Sequence, residues 1–245
     1  MSSYNLFSQN HKLSLQNGAE YLITGLAMAP HNIGGHNVCE SSTISCVSAC
    51  VLWLTGRTVT QGVRRAMIRR KMLFFEQPEE FYRLLRDDVI RHRRAAEKRG
   101  LKPVIRLNVA SDLDYSRFVR DYPDIQFYDY TKVRSRLLQR NWPTNYHLTY
   151  SVSERSHWRT ITAQLDRGRN VAAIFSTRYS GQHHIKDALP TSWRFGGREW
   201  PIVDGDNCDV RLPDTDGQGV IVGLRFKGSL ARRARAMDRG FCLTV

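Results

Sequence analysis

Hydrophobic residues at helical spacing predict two consecutive helices between residues 58 and 99. The first is predicted over Thr58–Phe75, where apolar residues keep a rough helical period and arginines occupy the other faces. The second is predicted over Pro78–Arg99, because Pro78 suits a first turn, two glutamates follow it, and Gly100 is a natural stop. We expect its apolar stripe to be buried, and this stripe comprises Phe81, Leu84, Leu85, Val89, His92 and Ala96.

Short apolar strands alternate with short helices through the rest of the chain. The predicted strands cover residues 21–28, 104–110, 124–130, 146–151, 170–176, 201–204 and 219–226. The predicted helices cover 114–121, 133–140, 156–167 and 229–237, and residues 181–200 are expected to be irregular. Such alternation is typical of parallel strands joined by helical crossovers. Because no glycine-rich nucleotide fingerprint follows a strand, the pattern favours an α/β fold that forms a (β/α) barrel or partial barrel.

Length and composition fit one folded domain. The chain has 245 residues, of which 41% are hydrophobic and 10% aromatic, enough for a sizeable core. We expect a single domain over 1–245, with a lead-in at 1–20, a cysteine loop at 31–57, basic helices at 58–100 and barrel elements at 101–245. The longest apolar run, near Val47–Leu54, is too short for a membrane span, and the N-terminus lacks a secretion signal. We therefore expect an intracellular protein without membrane contact.

Polar side chains follow nearly every predicted strand. Because chemistry lies at the carboxyl ends of the strands in (β/α) barrels, these residues predict a polar mouth. The three carboxylates of Asp204–Asp209 suit a hard cation, although a polar turn after a strand explains them more simply. Two lysines, Lys132 and Lys227, also follow predicted strands, and they would neutralise a phosphate or an anionic cluster, or point into solvent. The mouth candidates are Asn108, Asp112, Lys132, Asp204, Asp206 and Lys227.

The charge of the chain is strongly positive and concentrated in two stretches. Lysine and arginine number 37 against 23 acidic residues, for a net charge of +14, and most of the basic residues are arginine. The excess falls in Arg57–Arg99 and in Arg225–Arg239. Arginine matches phosphate geometry, so these stretches predict contact with nucleic acid or another polyanion, against the simpler interpretation of a solvated helix face. The predicted patch comprises Arg64, Arg65, Arg69, Arg70, Arg232 and Arg233.

Three of the five cysteines form the motif Cys39-x6-Cys46-x3-Cys50. Ligands that lie close in sequence on a glycine-rich loop converge easily, and a helical turn would put Cys46 and Cys50 on one face. Three thiolates suit an iron–sulfur cluster, and a 4Fe-4S cluster is favoured over a 3Fe-4S cluster. Two alternatives stay open, namely a closed zinc site completed by His36 or His31, and three small buried hydrophobic residues.

The remaining cysteines and histidines add few candidates. Cys208 is, beside His36, a candidate fourth ligand, whereas Cys242 lies in an apolar tail and is expected to be structural. The adjacent residues His183 and His184 make a poor chelate and are expected in a surface loop. The chain has no nucleophile elbow, Walker loop or His-Glu-x-x-His motif, so the common hydrolase, NTPase and metalloprotease classes lack support.

Several of these segments together resemble an uncharacterised family of phage-encoded proteins. Besides the cysteine segment, the resemblance rests on residues 104–112, 127–132, 145–149, 203–211 and 222–228. That family is remotely similar to phage proteins with an N-terminal cysteine triad, which look like shortened radical-SAM barrels carrying an iron–sulfur cluster. The resemblance implies a cluster on Cys39, Cys46 and Cys50 at the mouth of a (β/α) barrel. The spacing differs from the C-x3-C-x2-C of radical-SAM enzymes, and no motif supports SAM binding.

Three functions remain open at this point. The first is a phage iron–sulfur protein that interacts with nucleic acid or another polyanion, with the cluster as a structural staple or redox sensor. The second is a radical-SAM-like or other cluster-dependent enzyme that acts on a nucleotide-like substrate. The third is a zinc-stapled interaction or virion protein without catalysis. We expect a location in the host cytoplasm, with the virion as the alternative.

Overall fold

The chain forms two compact units whose segments alternate along the sequence. The computed structural model describes residues 4–8, 20–55, 60–180 and 185–245. Unit 1 comprises Met1–Glu40, Arg57–Asp129 and Leu138–His147. Unit 2 comprises Ser41–Gly56, Tyr130–Leu137 and Leu148–Val245. The predicted cysteine loop is therefore divided, since Cys39 belongs to unit 1 and the other two cysteines of the motif belong to unit 2.

Unit 1 is built on parallel strands with an antiparallel addition at one edge. Strand β2 (Tyr21–Leu26) pairs in parallel with β3 (Lys102–Arg106), which pairs in parallel with the start of β4 (Gln126–Thr131). Strand β1 (Phe7–Ser8) adds to β2 in the antiparallel sense. All residues of β2 after the first are buried, as expected for a parallel strand that is covered on both faces.

The two long helices of unit 1 lie where the hydrophobic periodicity predicts them. Helix α3 covers Gln61–Glu76, and α4 covers Pro78–Glu97 with its proline in the first turn and acidic residues beside it. The predicted stripe of α4 is buried except at His92, which is partly exposed. The buried face of α3 differs from the expectation, because it includes Arg70 and Lys71.

Unit 2 contains a second set of parallel strands. The order is β5 (Tyr146–Ser151), β6 (Val171–Ser180), β10 (Ile221–Phe226) and β9 (Arg198–Asp204), and each neighbouring pair is parallel. Strand β11 (Cys242–Leu243) also pairs in parallel with β6. The short helices of the chain are α1 (Ile44–Ser48), α2 (Val51–Leu54), α5 (Ser116–Val119), α6 (Arg134–Leu138), α7 (Trp158–Leu165), α8 (Pro213–Asp216) and α9 (Leu230–Asp238).

The expectation that residues 181–200 are irregular is wrong for the part that the structure describes. Strand β7 (Ile185–Lys186) pairs with β6, and β8 (Ser192–Phe195) forms an antiparallel hairpin with β9. Gly196 and Gly197 make the turn with φ values of 59° and 77°, which a two-residue hairpin of type I′ requires. The pair His183 and His184 lies outside the described residues.

The structure confirms a mixed α/β fold with mostly parallel strands. Each parallel connection is made through helices, as the alternating pattern predicts. Closure into a barrel stays a prediction. None of the described helices combines the length and apolar character that crossing a membrane requires.

Candidate functional site

Cys39 lies at the carboxyl end of the parallel strands of unit 1. Its backbone forms an isolated parallel bridge with Asp112, six residues beyond the end of β3. The Cys39 Sγ accepts a hydrogen bond from the His31 backbone N–H at 3.2 Å and donates to the Ala110 carbonyl at 3.4 Å. The predicted mouth residue Asp112 and the first cysteine of the motif therefore belong to one local arrangement.

A turn rich in glycine brings Cys39 to this position. The Val38 N–H donates to the His31 carbonyl at 3.2 Å, which closes the loop between them. Gly34 adopts a φ of 83°, and a Cβ there would lie 3.2 Å from Ile68 of α3. Both the backbone conformation and the close packing favour glycine at this position.

Lys71 supplies a buried positive charge beside Cys39, and the sequence pattern does not reveal it. Its side chain on α3 is 0% exposed, and its Nζ donates to the His31 carbonyl at 2.7 Å. Burial lowers the pKa of Lys71, whereas the neighbouring Cys39 thiolate raises it. The ammonium, the carbonyl and the thiol thus form a small polar group in the interior of unit 1.

Cys46 and Cys50 lie in unit 2 on and directly after α1. The Thr43 hydroxyl caps this helix by accepting from the Cys46 backbone N–H at 3.1 Å. Glu154 in turn accepts from the Thr43 hydroxyl at 2.8 Å and from the Ser45 N–H at 3.2 Å. These hydrogen bonds fix the start of a helix that is too short to be stable alone.

Cys46 packs against a hydrophobic cluster at the C-terminal end of unit 2. This cluster contains Phe226, Ala236, Phe241 and Cys242. The prediction that Cys242 is structural agrees with its burial in this cluster, where it is 1% exposed. Burial raises the pKa of Cys242 to about 12, so this thiol stays protonated at neutral pH.

Cys50 lies near both Cys46 and a lysine. Burial raises the pKa of Cys50, the neighbouring Cys46 adds to that effect, and Lys132 opposes it. Lys132 directly follows β4 and donates from Nζ to the Ser151 hydroxyl, at the end of β5, at 2.8 Å. The predicted mouth residue Lys132 therefore lies beside Cys50, one of the three predicted metal ligands.

Among the residues that the structure describes, no group of three or more His, Cys, Asp or Glu side chains is arranged to hold a metal ion. The ring of His36 stacks on Phe75 with centroids 4.3 Å apart. Cys208 donates from Sγ to the Val210 carbonyl at 3.5 Å. Metal binding by Cys39, Cys46 and Cys50, and a fourth ligand from His36 or Cys208, stay predictions.

Asp204, Asp206 and Lys227 come together in unit 2 as an ion-pair network. Arg225 donates to both oxygens of Asp204 at 2.7 and 2.9 Å and to Asp206 at 3.3 Å. Lys227 donates to the second oxygen of Asp206, whose side chain is fully buried. Partial burial raises the pKa of Asp204, but hydrogen bonds from Arg225 outweigh this effect, so the pKa is lowered overall. Because cationic side chains satisfy these carboxylates, the polar turn explains them better than a cation site.

Asn108 belongs to a buried network in unit 1 that centres on Asp129. The carboxylate of Asp129 accepts from the Asn108 backbone N–H at 2.7 Å, from the Asn108 side chain at 3.1 Å and from the Tyr146 hydroxyl at 2.7 Å. Burial raises the pKa of Asp129 to about 7, against the lowering effect of these donors and of Arg106. Sequence analysis missed Asp129, because a single acidic residue inside a strand carries no distinguishing pattern.

The predicted arginine patch divides into exposed and buried members. Arg65 is exposed and hydrogen-bonds Gln61 at 2.7 Å, and Arg69 is exposed and stacks over the Tyr4 ring at 4.4 Å. Arg70 is only 9% exposed and donates to a backbone carbonyl, so it does not contribute to a surface patch. Its place on the helix, one residue beyond Arg69, turns its side chain toward the core. The half-buried residues of the patch are Arg64, Arg232 and Arg233.

A comparison with known proteins gives one match. The family model described as gene product 88 matches residues 5–244 of the chain. No curated protein and no solved structure matches it. Since the match spans nearly the whole sequence, the resemblance to a phage protein family is confirmed at the level of the family. The chain belongs to the gene product 88 family, a phage-type family without an assigned activity.

Proposed function

We propose that this protein binds one iron–sulfur cluster through Cys39, Cys46 and Cys50, and that it also interacts with nucleic acid. One observation carries the first part: in each unit, a cysteine of the motif interacts electrostatically with a lysine, whose charge would offset that of a metal-bound thiolate. Lys71 interacts electrostatically with Cys39, and Lys132 with Cys50.

Buried positive charge favours a thiolate-bound cluster. Metal-binding cysteines are thiolates, and burying several negative sulfurs is costly unless cations or hydrogen-bond donors lie nearby. Hydrogen bonds to the sulfurs and the local charge also tune the reduction potential of such a cluster. The His31 N–H donates to the Cys39 Sγ, and Lys71 is fully buried beside it. In the structure Cys39 donates to the Ala110 carbonyl as a thiol, and the same N–H and ammonium would stabilise its thiolate once that proton is lost.

The donor set therefore fits an iron–sulfur cluster in its chemistry. The described side chains hold no preformed group of three ligands, so the fit rests on the chemistry of the donors. When bound by three protein thiolates, a four-iron cluster supplies electron transfer and one iron with an open ligand position. The residues of this chain contribute the sulfurs, the compensating lysines and the packing around Cys46.

Anaerobic purification with iron and sulfide analysis and an absorption spectrum tests this proposal. We expect a brown protein with about four irons per chain. Cys46→Ser should lose the metal and destabilise α1, because metal binding and folding are linked. Cys242→Ala is the matched control. It also removes a thiol, from the hydrophobic side chains that pack against Cys46, but it should leave the iron content unchanged.

Two results would contradict the cluster. A colourless protein with one zinc per chain would support the zinc-stapled alternative. Full metal content in Cys46→Ser would exclude Cys46 as a ligand.

The variants Cys208→Ser and His36→Ala test whether either residue is the fourth ligand. Loss of a fourth ligand should change the absorption spectrum of the cluster without removing all of the iron.

The second part of the proposal rests on exposed arginine. Arg65, Arg69, Arg235 and Arg239 are exposed in a chain with a net charge of +14. Phosphate contacts release counterions, so binding to nucleic acid should weaken steeply as salt is raised. Salt-independent retention on DNA and RNA, or no retention at 50 mM salt, would contradict an interaction with nucleic acid.

We further propose that the parallel strands belong to a partial (β/α) barrel and that the protein acts in the host cytoplasm. The parallel pairs in both units support the first point. All five cysteines are free thiols, which suits a reducing compartment. A crystal structure with the strands in a flat open sheet would contradict the barrel. Recovery of the protein from purified virions, at stoichiometric amounts, would contradict the location.

A further inference from the structure

Helices α4 and α9, one from each basic stretch of the sequence, differ in how their charges are used. On α4, Arg83 forms ion pairs with Glu80 at 2.7 Å and with Asp87 at 2.9 Å. Arg93 lies 3.3 Å from Asp124, and Arg91 pairs with the buried Asp88. Most of the positive charge of this helix is therefore neutralised by acidic neighbours within the protein.

The arginines of α9 lack such neutralisation. Among the described residues, no carboxylate forms an ion pair with Arg232, Arg235 or Arg239. A helix turns by about 100° per residue, so these three positions fall within an arc of about 60°. Arg235 and Arg239 are exposed, and Arg232 is half-buried on the flank of the same face.

Helix α9 is held firmly enough in unit 2 to present this face. The Ser229 hydroxyl caps it by accepting from the Arg232 backbone N–H. Ala236 is buried against the cluster of Phe226, Phe241 and Cys242. The Arg233 guanidinium donates to the Ser176 carbonyl at 3.1 Å, so this arginine of the predicted patch anchors the helix.

We propose that Arg232 and Arg235 on α9, together with its C-cap residue Arg239, form a docking face for double-stranded DNA. This inference rests on the nucleic-acid part of the proposed function and names the surface and the partner. A single exposed helix fits the major groove of B-form DNA, whereas the major groove of double-stranded RNA is too narrow to admit one. Uncompensated guanidiniums on one face match the phosphates along that groove.

Fluorescence anisotropy with a 20-base-pair DNA duplex at several salt concentrations tests the assignment. The variant Arg235→Gln with Arg239→Gln removes two charges from α9, and glutamine keeps the helix propensity. Two lost phosphate contacts should lower the salt slope by about 1.8 and weaken binding about fiftyfold at 0.1 M salt. The matched control, Arg83→Gln with Arg93→Gln, removes two charges from α4 and should change the affinity less than about threefold.

The outcomes separate this inference from the proposed function. If the wild-type protein does not bind the duplex at all, the nucleic-acid part of the proposed function fails. If it binds and both double variants weaken binding equally, only the assignment to α9 is wrong. Stronger binding to duplex RNA or to single strands of the same length would overturn the choice of double-stranded DNA. Circular dichroism confirms that both double variants keep their fold.

Discussion

The buried carboxyl group of Asp129 should make the protein less stable as the pH rises. Its carboxyl group is fully buried, and this burial raises its pKa to about 7 in the folded protein. A folded-state pKa above the ordinary value of 3.8 means that the folded protein binds the proton more tightly than the unfolded chain does. The contribution of Asp129 is therefore largest at low pH, and it is lost as the pH rises from about 4 through about 7.

The magnitude follows from the difference between the two pKa values. Each unit of pKa corresponds to about 1.4 kcal/mol, so the shift from 3.8 to about 7 amounts to about 4 kcal/mol over the full range. Between pH 5 and pH 8 the expected loss is about 3 kcal/mol, because part of the change lies below pH 5. A loss of this size is a large fraction of the stability of an ordinary domain.

Urea unfolding of the wild-type protein and of Asp129→Asn, measured from pH 5 to pH 8, isolates this effect. The amide does not ionise, so only the wild-type protein should lose the contribution of Asp129 as the pH rises. His92 acts in the opposite sense, since burial lowers its pKa, but it is present in both proteins and cancels in the difference. Fluorescence and circular dichroism must give the same transition for the free energies to be valid.

The difference in unfolding free energy between the wild-type protein and Asp129→Asn should change with pH. At pH 5 the variant should be less stable than the wild-type protein. The new amide N–H₂ group would face the side-chain N–H₂ of Asn108, which donates to a carboxyl oxygen of Asp129 in the wild-type protein. The gap should shrink by about 3 kcal/mol by pH 8. A gap that stays constant between pH 5 and pH 8 would refute the raised pKa of Asp129.

Three further substitutions test the packing and the buried charges. Gly205→Ala should destabilise unit 2 by about 1–3 kcal/mol in urea unfolding, because a Cβ there would overlap a valine side chain of β10. Arg225→Met should cost about 1–3 kcal/mol in the same assay, since it removes both hydrogen bonds to Asp204 and one of the two cations beside the buried Asp206; an unchanged midpoint would contradict the ion-pair network. Lys71→Met should slow the alkylation of Cys39 by iodoacetamide severalfold in the metal-free protein, because less thiolate forms without the ammonium; an unchanged rate would contradict their interaction.

Regular elements of the fold were predictable where local pattern determines them. Helix α4 begins at Pro78 as predicted and ends two residues before the predicted end, and β5 covers the predicted residues. The hairpin of β8 and β9 was not predicted, although the Gly-Gly pair at positions 196 and 197 is a turn signal of known type.

The buried charges of the site were not predictable from local pattern. Lys71 follows Arg69 and Arg70 on α3, and nothing in that run distinguishes the residue that is buried beside Cys39 from those that are not. Asp129 likewise lies within a strand, and the alternation of hydrophobic and polar residues along that strand does not mark it as functional. Both side chains are defined by partners far away in the sequence, at His31 and at Tyr146. Only the three-dimensional structure brings these partners together.

The net charge of a sequence window is a poor measure of the charge that a surface offers to a partner. The stretch Arg225–Arg239 carries most of the positive charge at the C-terminal end. Arg225 and Lys227, however, are neutralised by Asp204 and Asp206, which lie about twenty residues earlier and outside the window. A polyanion would have to break those buried ion pairs to bind these two cations. The free energy needed to break them exceeds the free energy gained from a phosphate contact. Within this window the charge left for binding therefore lies on α9, where the arginines that face solvent determine what this surface contributes to the affinity.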